Sequence, residues 1–278
     1  MTKQNLIHYY LNEISCANNP YVDCSSMQSI VIPTSCCYYS FKSCNWTNCE
    51  SSDAGAITFR DKTTSSLAVT YCTFLCCIST NDDYTQSGGA INAYNVYSVS
   101  ISFSSFITCT STKSRGDGIN MSAILYHPYI HNSTCISCFS FDDGEGAAIW
   151  SSYEKDNPIV CSECRFIKGT ASGSSNPWAG GIILWGNENI LKCLNSLFTD
   201  NKGTPGGAYG MSVDDASPDY PLCFCLFHAN AGNPVNDVYI RHYQSTHQTT
   251  FFLCCFSTSS SNRVRHESST KDSSNWVH

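Results

Sequence analysis

Paired carboxylates are the residues in this chain best suited to acid–base work. They occur at Asp82-Asp83, Asp142-Asp143 and Asp214-Asp215. Two carboxyl groups facing one groove supply the acid and base of glycoside cleavage, and clustered carboxylates are also calcium ligands. None of the eight histidines sits beside such a pair, and aspartate is equally a turn residue. A second constellation is Cys135-x2-Cys138 with Cys161-x2-Cys164, a spacing used by zinc sites. In a strand, residues three apart point to opposite faces, so these thiols converge on a metal only if a turn forms there. Both cysteines recur 26 residues later, which also suits stacking of one coil on the next and disulfides between coils. A third is Arg115-Gly116-Asp117, an integrin-type tripeptide in which Arg115 and Asp117 would contact a receptor.

Other motifs concern the surface. Asn45-Trp-Thr, Asn120-Met-Ser and Asn132-Ser-Thr are acceptors for N-linked glycans if the chain is secreted. Trp150, Trp185 and Phe59 recur at similar offsets, as a sugar-stacking stripe or a core aromatic ladder. No Gly-x-Ser-x-Gly elbow, Walker loop or dinucleotide fingerprint is present, and no cofactor is expected.

The chain must position these groups with few charges. Charged residues are 13% of 278, aromatics 13%, and the net charge is −7. Aromatic content argues for an ordered chain, and the acidic balance argues against nucleic acid as a partner. The apolar runs are shorter than a membrane span, and the N-terminal MTKQNLIHYYLNEIS does not read as a secretory signal. Nineteen cysteines would leave one unpaired in a full intramolecular framework, or serve as small buried hydrophobes where thiols stay reduced.

Repetition supplies the elements. Slots of small residues followed by an apolar one begin at 54 (AGAI), 88 (GGAI), 116 (GDGI), 146 (GAAI), 180 (GGII) and 206 (GGAY), with a worn NDVY at 236. A phenylalanine marker falls at Phe41, Phe74, Phe106, Phe139, Phe166, Phe198, Phe227 and Phe256. Both markers recur about every 30 residues, which signals a repeat architecture rather than one phosphate-cradling loop. Between them, runs such as VYSVSISFSSF (96–106) alternate with period two. One helix is expected, over residues 3–14, to cap an end. A helix-free unit of this size suits an all-β, parallel β-helix of seven to eight coils, with small residues where the chain bends tightly. The boundaries read as a cap over 1–35, the solenoid over 36–257 and a polar, disordered tail over 258–278.

The pairing of GGAI-type slots with Phe-x-x-Asn, as in FTDN (198–201) and FHAN (227–230), resembles the repeats of polymorphic outer membrane proteins. Cysteine replaces the asparagine at Phe41/Cys44, Phe74/Cys77 and Phe106/Cys109, a variant similar to cysteine-rich β-helix proteins of trichomonad parasites. The resemblance spans roughly residues 36–257. It implies a right-handed β-helix, a cell-surface or secreted location, and adhesion to a host protein or glycan.

The span from each phenylalanine to the next slot varies about twofold in length, so those loops are the expected binding face. Non-enzymatic binding through them is the first functional expectation. Carbohydrate-active catalysis at Asp82, Asp83, Asp142 and Asp143 is the alternative, and an intracellular scaffold is the third.

Overall fold

In Val99-Ser100-Ile101-Ser102 the aliphatic residues are buried and the serines half-buried, as a strand with one wet face requires. Such a strand needs a second strand of the same pattern beside it, and the repeat supplies one every coil. The computed structural model describes residues 19–22, 29–32, 38–80, 88–112, 116–140, 148–153, 159–171, 179–186, 191–204, 206–213, 222–232, 236–242, 251–257 and 263–268. They form a parallel β-helix, with no helix among them. The expected helix over 3–14 lies outside the described residues.

Strands at equivalent places in successive coils pair in parallel and build sheets of fifteen, eight, four and two strands. The large sheet is dominated by three long neighbours, Ile57–Thr70, Ile91–Ser102 and Ile119–His131. The eight-stranded sheet is made of three-residue pieces such as Thr73–Leu75 and Ser105–Ile107. The four-stranded sheet holds two-residue pieces such as Ile78–Ser79 and Thr110–Ser111.

The corners between these pieces explain much of the sequence. At the first corner Tyr71, Phe103, Asn132, Glu163, Asn195, Phe224 and Leu253 all have φ between 43° and 56°. At the second, Asn48, Cys76, Thr108, Ser137, Lys168, Asp200 and Ala229 do the same. A left-handed residue other than glycine costs about 1–2 kcal/mol, and the residue after each one supplies the compensation. After the first corner stand Cys44, Cys72, Ser104, Ser133, Cys164, Ser196, Cys225 and Cys254. Ser104 Oγ donates to the Ser102 carbonyl at 2.9 Å and accepts the Cys72 N–H of the preceding coil at 3.1 Å. Cys164 Sγ likewise bonds the Ser162 carbonyl, and the Cys164 N–H is taken by Ser196 Oγ at 3.2 Å. After the second corner stand Cys49, Cys77, Cys109 and Cys138, then Gly169, Asn201 and Asn230. Asn201 accepts the Gly169 N–H at 2.9 Å and donates to the Phe166 carbonyl at 2.9 Å. Cys109 and Cys138 donate to the equivalent carbonyls of Phe74 and Phe106. Cysteine thus takes the place of a buried hydrogen-bonding asparagine or serine.

The slots close each coil against the two-residue strands. A Cβ on Gly89 would lie 1.8 Å from the Asp117 carbonyl oxygen and 2.7 Å from the Thr110 nitrogen, so only glycine fits.

Register corrects several readings of the repeat. The aromatic ladder runs Trp46, Phe74, Phe106, Cys135, Phe166, Phe198, Phe227, Phe256. Phe41 belongs to the large sheet, paired with Val69, and Phe139 to the four-stranded sheet, paired with Thr110. The partner of Cys49 is therefore Trp46, whereas Cys44 is a first-corner residue. The slot residue stacked on Ile149 is Ile182, one earlier than the GGII reading, and Val238 rather than Tyr239 follows Tyr209. The stack also passes both boundaries read from sequence. Asn19–Val22 pairs with Tyr38–Lys42, Ile30–Val31 with Ile57–Thr70, and Val264–Ser268 with Val238–His242.

Candidate binding face

The outward side of the three long strands is built from residues that alternate with the core. Leu67, Val69, Val99, Ile101 and Ile130 are buried. Opposite them, in register, lie the columns Ser66–Ser98–Tyr126, Ala68–Ser100–Tyr129 and Thr70–Ser102–His131–Ser162. Hydroxyls bond along these columns: Ser98 Oγ donates to Ser66 Oγ at 2.8 Å, and Ser102 Oγ to Thr70 Oγ1 at 3.4 Å. His131 Nδ1 lies 2.9 Å from Ser162 Oγ.

Aromatic rings stand over this hydroxyl floor. Tyr97 stacks on Tyr126 with centroids 5.4 Å apart, and Tyr71 on Phe103 at 4.9 Å. Phe103 meets His131 edge to face at 5.3 Å, and Tyr129 stacks on His131 at 5.8 Å. Tyr71, Tyr97, Phe103, Leu125, Tyr126 and Tyr129 remain 37–54% exposed. Two local devices put them there. Tyr71 and Phe103 occupy the left-handed corner, whose side chain leaves the core. Between Tyr126 and Tyr129 the register shifts against Ser98–Ser100, a bulge at His127-Pro128 where proline removes a ladder donor. At the slot end of the face, Arg60 bonds Asp53 at 3.1 Å and lies 5.8 Å over the Tyr94 ring, while Asn95 Nδ2 donates to Asp61 Oδ1. Between Lys42, which pairs with Thr70, and Lys192, which pairs with Val160 beyond Tyr129, the columns hold no Asp, Glu, Lys or Arg. They can present edges of rings and hydroxyl groups to an uncharged partner.

Asp82, Asp83, Asp142, Asp143, Asp214, Asp215 and Arg115 lie outside the described residues, as do most residues of the loops expected to bind. Gly116 and Asp117 are buried in the slot. Ser111 Oγ donates to Asp117 Oδ1, and Oδ2 has no hydrogen-bond partner. Burial pushes the Asp117 carboxyl well above the usual range, against the Ser111 bond. A carboxylate so enclosed is not presented to a receptor. Asp237 resembles it: Oδ1 accepts from Asn230 at 2.9 Å, Oδ2 is unpartnered, and burial again raises the carboxyl.

Cys135, Cys138, Cys161 and Cys164 fall in four different columns. Cys135 stacks on Phe106 and Phe166, Cys161 on Ile130 and Cys193. The coil step there is 31 residues, from Cys135 to Phe166, so the expected 26-residue stack of Cys135 on Cys161 does not form. Among the described residues no three His, Cys, Asp or Glu side chains are grouped to hold a metal ion.

Asn45 and Asn132 are exposed, whereas Asn120 is fully buried and donates to Asn92 Oδ1 at 3.1 Å. Phe59 is a core residue packed edge to face on Tyr39, and the side chains of Trp150 and Trp185 lie outside the description. Sequence reasoning missed the outward tyrosines because it looked for aromatics at a fixed offset from the slot. The usable signal was an aromatic at a serine position of an alternating run, as at Tyr126 and Tyr129.

No protein-family model, curated protein or solved structure matches the chain. Among the described residues no helix is long and apolar enough to cross a membrane.

Proposed function

We propose that this β-helix is a non-enzymatic binding protein that holds a neutral glycan chain along the flat face between Tyr71 and Tyr129. The observation that carries the reading is the exposed aromatic set Tyr71, Phe103, Tyr97, Tyr126 and Tyr129, stacked across coils above serine and threonine hydroxyls. Exposed apolar patches of this kind mark interaction sites. The strands of the face recur once per coil, so a polymer with a repeating unit can run across successive coils and meet hydroxyls and rings in turn. Its chemistry fits a glycan: hydroxyls that both donate and accept, ring edges against apolar C–H groups, and little charge. The binding role and surface location implied by the repeat resemblance are part of the proposal. The face proposed to perform it is the long-strand sheet; most residues of the variable loops lie outside the described residues.

The test is a titration of soluble neutral and acidic polysaccharides, with a Tyr97→Ala/Tyr126→Ala double variant. Binding of a neutral glycan, weakened at least tenfold in the variant with the far-ultraviolet circular dichroism unchanged, is expected. Equal binding by the variant would remove this face from the proposal. Release of new chain ends during the titration would favour the carbohydrate-active alternative.

A further inference from the structure

Thiols line up in the C-terminal coils. Cys161 and Cys193 are directly in register on neighbouring strands, and both are buried. Cys193 Sγ lies 3.7 Å from Cys225 Sγ. Cys225 and Cys254 hold the same corner position in adjacent coils, one residue before the paired Leu226 and Cys255, and Cys254 Sγ donates to the Leu222 carbonyl at 3.0 Å. Cys254 is only half-buried, so the run of thiols begins inside the core and ends at a half-exposed residue. Cys193 accepts hydrogen bonds from Cys161 and Cys225, which lowers its pKa to about 5 against its burial. The second thiol column, Cys49–Cys77–Cys109–Cys138, is buried throughout.

We propose that the thiol run Cys161–Cys193–Cys225–Cys254, which joins two neighbouring columns where Cys193 meets Cys225, is a redox-modification site where a low-molecular-weight disulfide staples adjacent coils together. Cys254 gives up its proton and attacks one sulfur of the oxidant, although neighbouring Cys225 and burial hold its thiol above the usual range; that S–S bond breaks and one small thiol leaves. Cys225 gives up its proton and attacks the Cys254 sulfur, forming Cys225–Cys254 and expelling the second small thiol. The protein loses two electrons and the oxidant gains two. Cys193 can then displace Cys254 from Cys225, moving the bond inward with no net redox change and freeing Cys254 for a second equivalent. Attack of Cys161 on Cys193 ends the relay with Cys161–Cys193 and Cys225–Cys254 linked, two oxidant molecules consumed and four small thiols released. Neighbouring strands stand about 4.8 Å apart, inside the Cα range that disulfides span.

The experiment uses the full chain, reduced, freed of reductant and incubated with oxidised glutathione. Free thiols are then blocked with N-ethylmaleimide and the protein is mapped by mass spectrometry without reduction. Expected are the cross-linked peptides Cys225–Cys254 and Cys161–Cys193 in a monomer, and a thermal midpoint raised by about 5–10 °C that dithiothreitol reverses. Glutathione found only on Cys255 or Cys76, or disulfides only between molecules, would overturn the proposal. Cys254→Ser tests the entry route, since serine already fills this corner at Ser104, Ser133 and Ser196. It should slow formation of Cys161–Cys193 at least tenfold, and an unchanged rate would exclude the relay.

Discussion

Asp117 stands in a slot position that other coils fill with Gly55 or Gly89, and it brings a carboxyl group into a place without water. An ordinary aspartate ionises near pH 4. Burial pushes Asp117 well above that value, against the Ser111 hydroxyl and backbone N–H groups that favour the charged form. The unfolded chain therefore releases this proton at lower pH than the folded chain. The stability associated with the neutral carboxyl is complete below about pH 4 and declines as pH rises towards the folded value. Asp117→Asn keeps the size and a bond to Ser111 while removing the ionisation. The variant should lose this decline and be more stable than the parent at pH 7 by on the order of 1–3 kcal/mol. Urea unfolding of both proteins from pH 4 to pH 8 measures it, and parallel curves would show that the carboxyl is not enclosed as described. The slot GDGI at 116 already placed Gly116 and Asp117 in the repeat, while Arg115-Gly116-Asp117 also read as a surface tripeptide. Nothing in three letters tells an inward carboxyl from an outward one, so the enclosure of Asp117 was legible only through the repeat.

At the scale of the element, period was legible and register was not. Two markers recurring about every 30 residues, with period-two alternation between them, left few architectures other than a parallel β-helix. Yet Phe41 and Phe139 were assigned to a ladder whose members at those coils are Trp46 and Cys135. The ladder position asks only for an apolar side chain that fills the space, so a nearby phenylalanine is a poor guide when another apolar residue holds the site. The corner columns were hidden for a different reason. Their left-handed residues include Tyr71, Glu163 and Leu253, which carry no turn signature, and the compensation lies in the residue that follows. That compensation predicts a ranking at Asn201. The Asn201 side chain accepts the Gly169 N–H and donates to the Phe166 carbonyl and to Asn230. Asn201→Ala orphans the Gly169 donor and the Phe166 acceptor and should cost roughly 2–4 kcal/mol. Asn201→Cys should retain about half of that, because Cys109 and Cys138 bond the same carbonyl position in their own coils. Guanidinium unfolding of the two variants ranks them, and equal losses would mean that cysteine at this corner is only a filler.

A solenoid is close to one-dimensional, so a modification tolerated at the rim is not tolerated inside a rung. This decides among the three acceptor sequons once the chain is sent through a secretory pathway. Asn45 opens the exposed edge of Asn45–Thr47, and Asn132 sits at an exposed first corner with φ 43°. Either can carry a branched sugar directed into solvent. Asn120 is the second residue of Ile119–His131 and has no exposure, its Nδ2 bonded to Asn92 of the preceding coil. A glycan there would push the strands on either side apart and cut the stack into two shorter pieces. Each piece would bury less apolar surface than the whole and expose a fresh sheet edge. Molecules bearing it should therefore be retained or degraded, and the folded, secreted fraction should carry sugar on Asn45 and Asn132 alone. With a secretory leader added, peptide N-glycosidase should shift the secreted protein by two glycans. Asn45→Gln and Asn132→Gln should each remove one step, and intact glycopeptides should account for both. A glycan recovered on Asn120 from soluble, secreted protein would contradict the register that stacks Asn120 on Asn92.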